Sequence, residues 1–263
     1  MKKWILAAVA GVLAAGGAWG KEPTKIVAPD GTVTLVYAAG EEPKPVPSPM
    51  VRDAEAGVVH FGAVDLIEAT KTVVCTGWVN QSRGIVEVLA CGEAGKLHES
   101  VFVLCVNPLD LQAALLLAGN RGGEVMKGFG LGPARGSPVD LWVEWTEEDG
   151  TLRRERAERF VRDIEKDEPL EDGPWVFTGS VVWDGEFKAL VEETLIATYW
   201  DPYAIINNPY ASGGNDDILY ANEGFVPVEG TAIRFEISPA EADNPKLDRV
   251  GLGGGEGRTR YGY

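Results

Sequence analysis

Between residues 58 and 239 apolar side chains recur at every second position in short runs, the period of strands with one buried face. Val58–Phe61, Val64–Ile67 and Thr72–Val79 are the first such runs, and Ile85–Cys91 follows the polar turn Asn80-Gln-Ser-Arg-Gly84 as the return arm of a hairpin. Glu99–Val106 is continuously apolar at its centre, as in a strand buried on both faces. Val139–Thr146 and Thr151–Arg156 flank Glu147-Glu-Asp-Gly150 and predict a second hairpin. Trp175–Trp183 and Ala189–Tyr199, joined through Asp184-Gly185, and Thr231–Ile237 predict the remaining strands. The period changes at Leu109–Gly119, where Pro108 opens an apolar helix that Gly119 closes. A shorter amphipathic helix is predicted over Ala157–Glu165. No alternation of strand and helix demands a parallel sheet, so the pattern predicts an α+β domain, predominantly antiparallel, with one main helix.

The ends depart from this pattern. Lys2 and Lys3 precede an apolar run from Trp4 to Ala15 and the small-residue site Ala18-Trp19-Gly20, so residues 1–20 are expected to be a secretory signal, with an uncleaved N-terminal anchor the lesser alternative. Residues 21–57 form an N-terminal segment with one strand-like run, Thr32–Tyr37, and the Pro-rich linker Glu41–Pro49. The folded domain is expected over residues 58–239, and the Gly-rich remainder, 240–263, as a flexible tail. No later stretch is long and apolar enough for a membrane span, because Asp110 and Gln112 interrupt the best one. The expected destination is the periplasm or the extracellular medium.

Charge sharpens this picture. The net charge is −16, which keeps a chain in solution and repels nucleic acid and anionic lipid. The one basic stripe, Arg153 to Arg162, is interleaved with Glu155 and Glu158 and is expected to be a solvated face. The eight tryptophans are most simply core or rim residues, with sugar stacking by Trp175, Trp183 or Trp200 the lesser alternative.

Chemistry is densest between Cys75 and Ser100, which holds two of the three cysteines and one of the two histidines. In the predicted hairpin Cys75 and Cys91 have the same parity, so a disulfide between them, or two core thiols, are both open. Cys75, Cys91 and His98 also leave a transition-metal site open, although the spacing has no C-x-x-C or H-x-x-x-H. Three thiols are too few for an iron–sulfur cluster, and no cofactor is predicted. Gly92–Lys96 fails as a phosphate loop, because Leu97 stands where Ser or Thr is required. On a strand, His98 and Ser100 share a face and Glu99 takes the other, so a catalytic His98 would need Asp65, Glu87 or Asp201 from elsewhere. The simpler reading pairs Glu99 with Lys96. Asn215-Asp-Asp217 is a weak calcium loop and more simply a polar turn, and Asn207 and Asn208 are expected to organise backbone.

Cys75-Thr-Gly-Trp-Val-Asn80, Gly84-Ile-Val-Glu87, Ala90-Cys91, Gly95-Lys-Leu-His-Glu-Ser100, the helix residues Ala113–Leu117, Trp175-Val-Phe-Thr-Gly-Ser180 and Ile206-Asn-Asn-Pro209 together resemble the YdjY-like domain, over Val58 to Pro239. The resemblance implies no established activity. It implies that Lys96, His98 and Glu99 serve the common role, whereas the cysteine cluster of its ferredoxin-like members is missing here. The function expected is a binding or envelope-associated module using Lys96, His98, Glu99 and Ser100 toward an unknown small ligand or envelope protein. The alternatives are a metal-dependent or acid/base enzyme centred on His98, helped by Glu99 and Cys91, and a purely structural protein with a stapled hairpin.

Overall fold

The computed structural model describes residues 46–240, and before them the backbone of two short strands. Most of the expected leader, linker and tail therefore lies outside the described residues. The two short strands, β1 (Thr24–Val27) and β2 (Val33–Val36), pair antiparallel as a unit of their own.

The larger unit begins at Pro47. Its first strands are β3 (Met50–Asp53), β4 (Val58–Phe61), β5 (Val64–Ile67) and β6 (Thr72–Val79), an antiparallel meander. Then come β7 (Val88–Cys91), β8 (Ser100–Leu104), the helix α1 (Pro108–Leu117), and the hairpin β9 (Ser137–Thr146) with β10 (Leu152–Arg156). β11 (Val161–Asp163), β12 (Glu168–Pro169), β13 (Trp175–Phe177), β14 (Val182–Trp183) and β15 (Glu186–Phe187) lead to α2 (Lys188–Glu192). β16 (Thr194–Ala197), β17 (Ile206–Asn207), β18 (Leu219–Ala221) and β19 (Ala232–Pro239) complete the order.

Eight of these strands close into a barrel: β9, β13, β17, β16, β7, β8, β6 and β19, which returns to β9. β10 extends the sheet beyond β9, and β5, β4 and β3 extend it beyond β6. Most pairs are antiparallel, as the pattern predicted, but β7 with β8 and β16 with β17 are parallel. The departure has a local cause. Residues 80–87 do not turn β6 straight into a partner; β8 lies between β6 and β7 and pairs with both. The expected hairpin of Thr72–Val79 with Ile85–Cys91 is thereby replaced. Gly77 permits the close β6–β8 approach, since a Cβ there would run into the Val103 carbonyl.

One face of each long strand supplies the core: Val73, Cys75 and Val79 on β6, Val139, Leu141, Val143 and Trp145 on β9, and Ile233, Phe235 and Ile237 on β19. Phe160 is the aromatic hub, edge-on to Phe102 at 5.0 Å, Phe225 at 5.2 Å and Trp145 at 5.5 Å. Because Phe160 is drawn inward, Ala157–Phe160 forms only a 3-10 turn before β11 pairs with β18, and the expected helix over Ala157–Glu165 does not form. Likewise Ala189–Tyr199 is divided: α2 ends at Glu193 in the left-handed region, and β16 starts afterwards.

The main helix forms as predicted and is capped at both ends. Asn107 accepts a hydrogen bond from Leu109 N–H, and Pro108 occupies the first position. At the other end Gly119, with φ 102°, bonds back to Leu116 and Asn120 to Leu115, the double closure that left-handed glycine allows. Buried Asp110 in the first turn accepts bonds from Ser48 N–H and Oγ, fastening the end of the Pro-rich segment to the domain.

Candidate functional site

The three sequence-selected groups of a metal site are not brought together. Cys75 belongs to the main core. Cys91 lies in a separate cluster with Val88, Val103 and Trp78. His98 is largely exposed on a 3-10 turn, Leu97–Glu99. The cysteines are free, and the interposed β8 is the reason that Cys75 and Cys91 are not cross-strand partners. Among the described residues no group of three His, Cys, Asp or Glu side chains is arranged to hold a metal ion. Burial pushes the Cys75 thiol up to about 12, with the neighbouring Cys105 adding to the shift. We expect three titrating thiols in denaturant without reductant, and in the native state Cys105 reacting well before Cys75. Fewer than three would restore a disulfide.

Other selected residues do converge, around Lys96. The turn that carries it is built by its neighbours: Ser100 Oγ donates to Lys96 O at 2.7 Å, and Asn80 Nδ2 donates to Leu97 O and Ser100 O at 2.6 and 2.8 Å. Because residues 97–99 turn rather than extend, Glu99 and His98 come to one side, with His98 Nε2 3.7 Å from Glu99 Oε1. The strand expectation, which separated them, is corrected. Lys96 Nζ lies 3.4 Å from Glu99 Oε1 and 3.4 Å from Glu87 Oε2. Partial desolvation pulls the ammonium down, but Glu99, Glu87 and Asp201 together push its pKa up, so it stays charged.

Glu87 and Asp201 are placed by backbone. Glu87 O accepts from Thr198 N–H and Tyr199 N–H at 2.9 and 3.0 Å, which ties the 84–87 segment to the end of β16. Asp201 is 4% exposed, and its Oδ1 accepts from Tyr203 N–H at 2.7 Å. Asn207 brackets it, accepting from Asp201 N–H and donating to Asp201 O, both at 2.9 Å. Asn208 fixes the same loop through Thr198 O and Ser212 Oγ. Burial raises the Asp201 pKa to about 6, against the opposing pull of the Tyr203 N–H and of Lys96.

Above this cluster is a cleft of about 620 Å³ lined by Gln81, Arg83, Gly84, Ile85, Glu87, His98, Glu99, Asp216 and Asp217. Its size is that of a small-molecule site. Asp216 and Asp217 stand on a turn that Asn215 makes by accepting Asp217 N–H. Tyr199 is outside this lining, with its hydroxyl against Gly130; burial raises its pKa, and the charges of Asp216, Glu87 and Asp201 raise it further. Of the sequence-selected residues, His98 and Glu99 line this cleft, Lys96 is paired with the lining acids Glu87 and Glu99, and Ser100 is buried and supports the turn. Glu87 and Asp201 had been named only as remote partners for His98. Arg83 carried no sequence signal, because what selects it is the approach of residues 216–217 to the 81–87 loop. The tryptophans divide as well: Trp175 is buried, Trp200 is packed under Gly132 and Gly213, and Trp183 is exposed at the tip of the β14–β15 hairpin.

The family model for the YdjY domain matches residues 64–238. No curated protein and no solved structure matches this chain.

Proposed function

We propose that this chain, which belongs to the YdjY domain family, is an exported binding module, periplasmic or extracellular, whose cleft over Lys96 takes a small polar ligand. The observation that carries the reading is the half-buried Lys96 ammonium held between Glu87 and Glu99, two carboxylates that themselves line a cleft of ligand size. Fixed charges in a partly dry cleft give specificity at little reorganisation cost. The blocks that resemble the family point the same way: Asn80, Glu87, Lys96, Glu99, Asn207 and Asn208 are scattered in sequence and either line this cluster or brace it. No helix among the described residues is long and apolar enough to cross a membrane.

A second reading, acid/base catalysis, has one observation in its favour. Buried Asp201, with its pKa raised to about 6 beside Lys96, has the poise of a group that exchanges protons near neutral pH. On this reading Asp201 rather than His98 is the titrating centre.

One experiment addresses both. A ligand-observed NMR screen of small polar molecules against the full chain should yield binders whose signal is lost in the Glu87→Gln/Glu99→Gln variant. A panel whose binders are indifferent to that variant would remove the cleft reading. A binder that converts to a new species, at a rate abolished in Asp201→Asn and inflecting near pH 6, would replace binding by catalysis.

A further inference from the structure

Independently of the cleft, we infer that the loop 121–136 and the adjoining β14–β15 hairpin form a docking surface for an anionic lipid membrane. The loop is closed at its neck: Ser137 N–H donates to Arg121 O at 2.9 Å, and Arg121 N–H donates to Ser137 Oγ at 2.8 Å. Its body is pressed onto the barrel. Met126 and Ala134 turn inward against Val176 and Trp200, and Gly130 N–H donates to Trp200 O at 2.8 Å. A compact loop with its own small core holds its outward side chains in place. Those side chains are apolar: Val125, Phe129 and Leu131 are 68%, 47% and 61% exposed. The hairpin continues the set. Ser180 Oγ, at its root, donates to Tyr203 O, and the Tyr203 ring meets Phe129 edge-on at 5.1 Å. Val182 and Trp183 are neighbours on one strand and face opposite ways, yet both are exposed, so the hairpin stands clear of the barrel on its two faces.

Single exposed apolar residues are ordinary, but five on two adjoining projections make a patch that marks a contact. Charge identifies what it meets. Arg121, Lys127 and Arg135 are exposed on the loop, against the one acid Glu124, and none of the three has an ion-pair partner among the described residues. In a chain with 40 acids and 24 Lys and Arg, three unanswered cations around an apolar tip are complementary to an anionic surface. On the hairpin Lys188 answers Glu186 at 2.8 Å, and Asp184 at the turn keeps that tip at headgroup depth, the level tryptophan prefers. The net charge of −16 repels such a membrane as a whole. At physiological salt fields fade over ~8 Å, so acids remote from the contact weigh little against cations within it. The shape favours lipid over an acidic protein. The apolar groups project from convex tips, and neither the cleft at Glu87 and Glu99 nor the one lined by Ser82 and Glu229 includes them, whereas a protein partner seats its anchors in pockets. A fluid interface accepts such projections without a matching shape.

The test is hydrogen exchange of the full chain with equimolar phosphatidylglycerol–phosphatidylcholine vesicles at about 0.15 M salt. At saturating lipid the amides of 121–136 and 180–187 should exchange at least about threefold more slowly, while the β9–β10 turn, 147–150, is unchanged. Because the readout is local, attachment of another part of the chain to the vesicle does not mimic it. Val125→Ser/Phe129→Ser/Leu131→Ser should abolish the slowing in the loop. Lys127→Gln/Arg135→Gln should raise the lipid concentration needed at least about tenfold and leave the melting temperature unchanged. Equal slowing at 147–150, an unchanged lipid dependence in either variant, or no slowing with vesicles overturns the proposal. A loop slowed by polyglutamate but not by vesicles also overturns it, and assigns the cations to an acidic protein partner instead.

Discussion

Asn207→Ala destabilises the protein by about 3–5 kcal/mol and lowers the melting temperature by roughly 6–15 °C. The size follows from what the side chain joins. Asn207 is fully buried, and its amide makes three hydrogen bonds: from Asp201 N–H at 2.9 Å, to Asp201 O at 2.9 Å and to Thr178 Oγ1 at 3.0 Å. Each bond contributes about 1 kcal/mol net, and the buried Asp201 N–H and C=O left behind add the penalty of unmet polar groups. Truncation frees the loop that positions Asp201, so the loss is both global and local. Chemical denaturation measures the first, and heteronuclear NMR of residues 199–203 reports the second. A loss under about 1 kcal/mol, or unchanged signals in that loop, would show that the Asn207 bracket does not hold the loop.

The same residue shows which parts of this protein are written in local pattern and which are not. The hairpin β9–β10, the helix α1 and the strand β19 were legible, because each rests on near neighbours: a Glu-Asp-Gly turn, a Pro start with a Gly stop, and strict alternation. Asn207 and Asn208 were legible as backbone organisers, since Asn ahead of Pro209 favours local hydrogen bonding. Which backbone they organise was not, because Asp201 and Thr198 reach them only through the parallel β16–β17 pair. The insertion of β8 between β6 and β7 was hidden for a similar reason. Asn80 to Gly84 has the composition of a hairpin turn, and no local signal reports that Val79 pairs with Phe102 instead. That rearrangement separated Cys75 from Cys91 and moved the site from the thiols to the acids around Lys96. Lys96, His98 and Glu99 were found from sequence because they are consecutive in one turn. Arg83 was not, because long-range packing brings it there.

Arg156→Met is expected to cost about 3–5 kcal/mol at neutral pH, and Arg156→Met/Glu158→Leu to recover most or all of it. Arg156 Nη2 meets Asp140 Oδ1 at 2.8 Å, Glu158 Oε1 at 2.9 Å and Gly173 O at 2.9 Å. Glu158 is fully buried, so removing the guanidinium strands a carboxylate in the core. The pair is not itself a strong stabiliser, since Glu158 Oε2 and Arg156 Nε are buried without hydrogen bonds, which is why apolar replacement of both is tolerated. Acidity separates the two variants. Burial raises the Glu158 pKa, and Arg156 opposes that rise through charge and hydrogen bonding. A carboxyl whose folded pKa lies above its unfolded value binds protons more tightly in the folded state. Its contribution to stability is complete below the unfolded pKa and is lost as pH rises through the folded one. Without Arg156 the folded pKa climbs further, so the deficit of Arg156→Met should shrink as pH falls from 7 toward about 5. The double variant has no such carboxyl, so its stability should depend less on pH over that window than that of either chain that keeps Glu158. Urea unfolding at pH 7 and at pH 5.5 measures both effects. A single-variant deficit that is the same at the two pH values would mean that Glu158 is not the group left uncompensated, and the cost would then belong to Asp140 and Gly173 O.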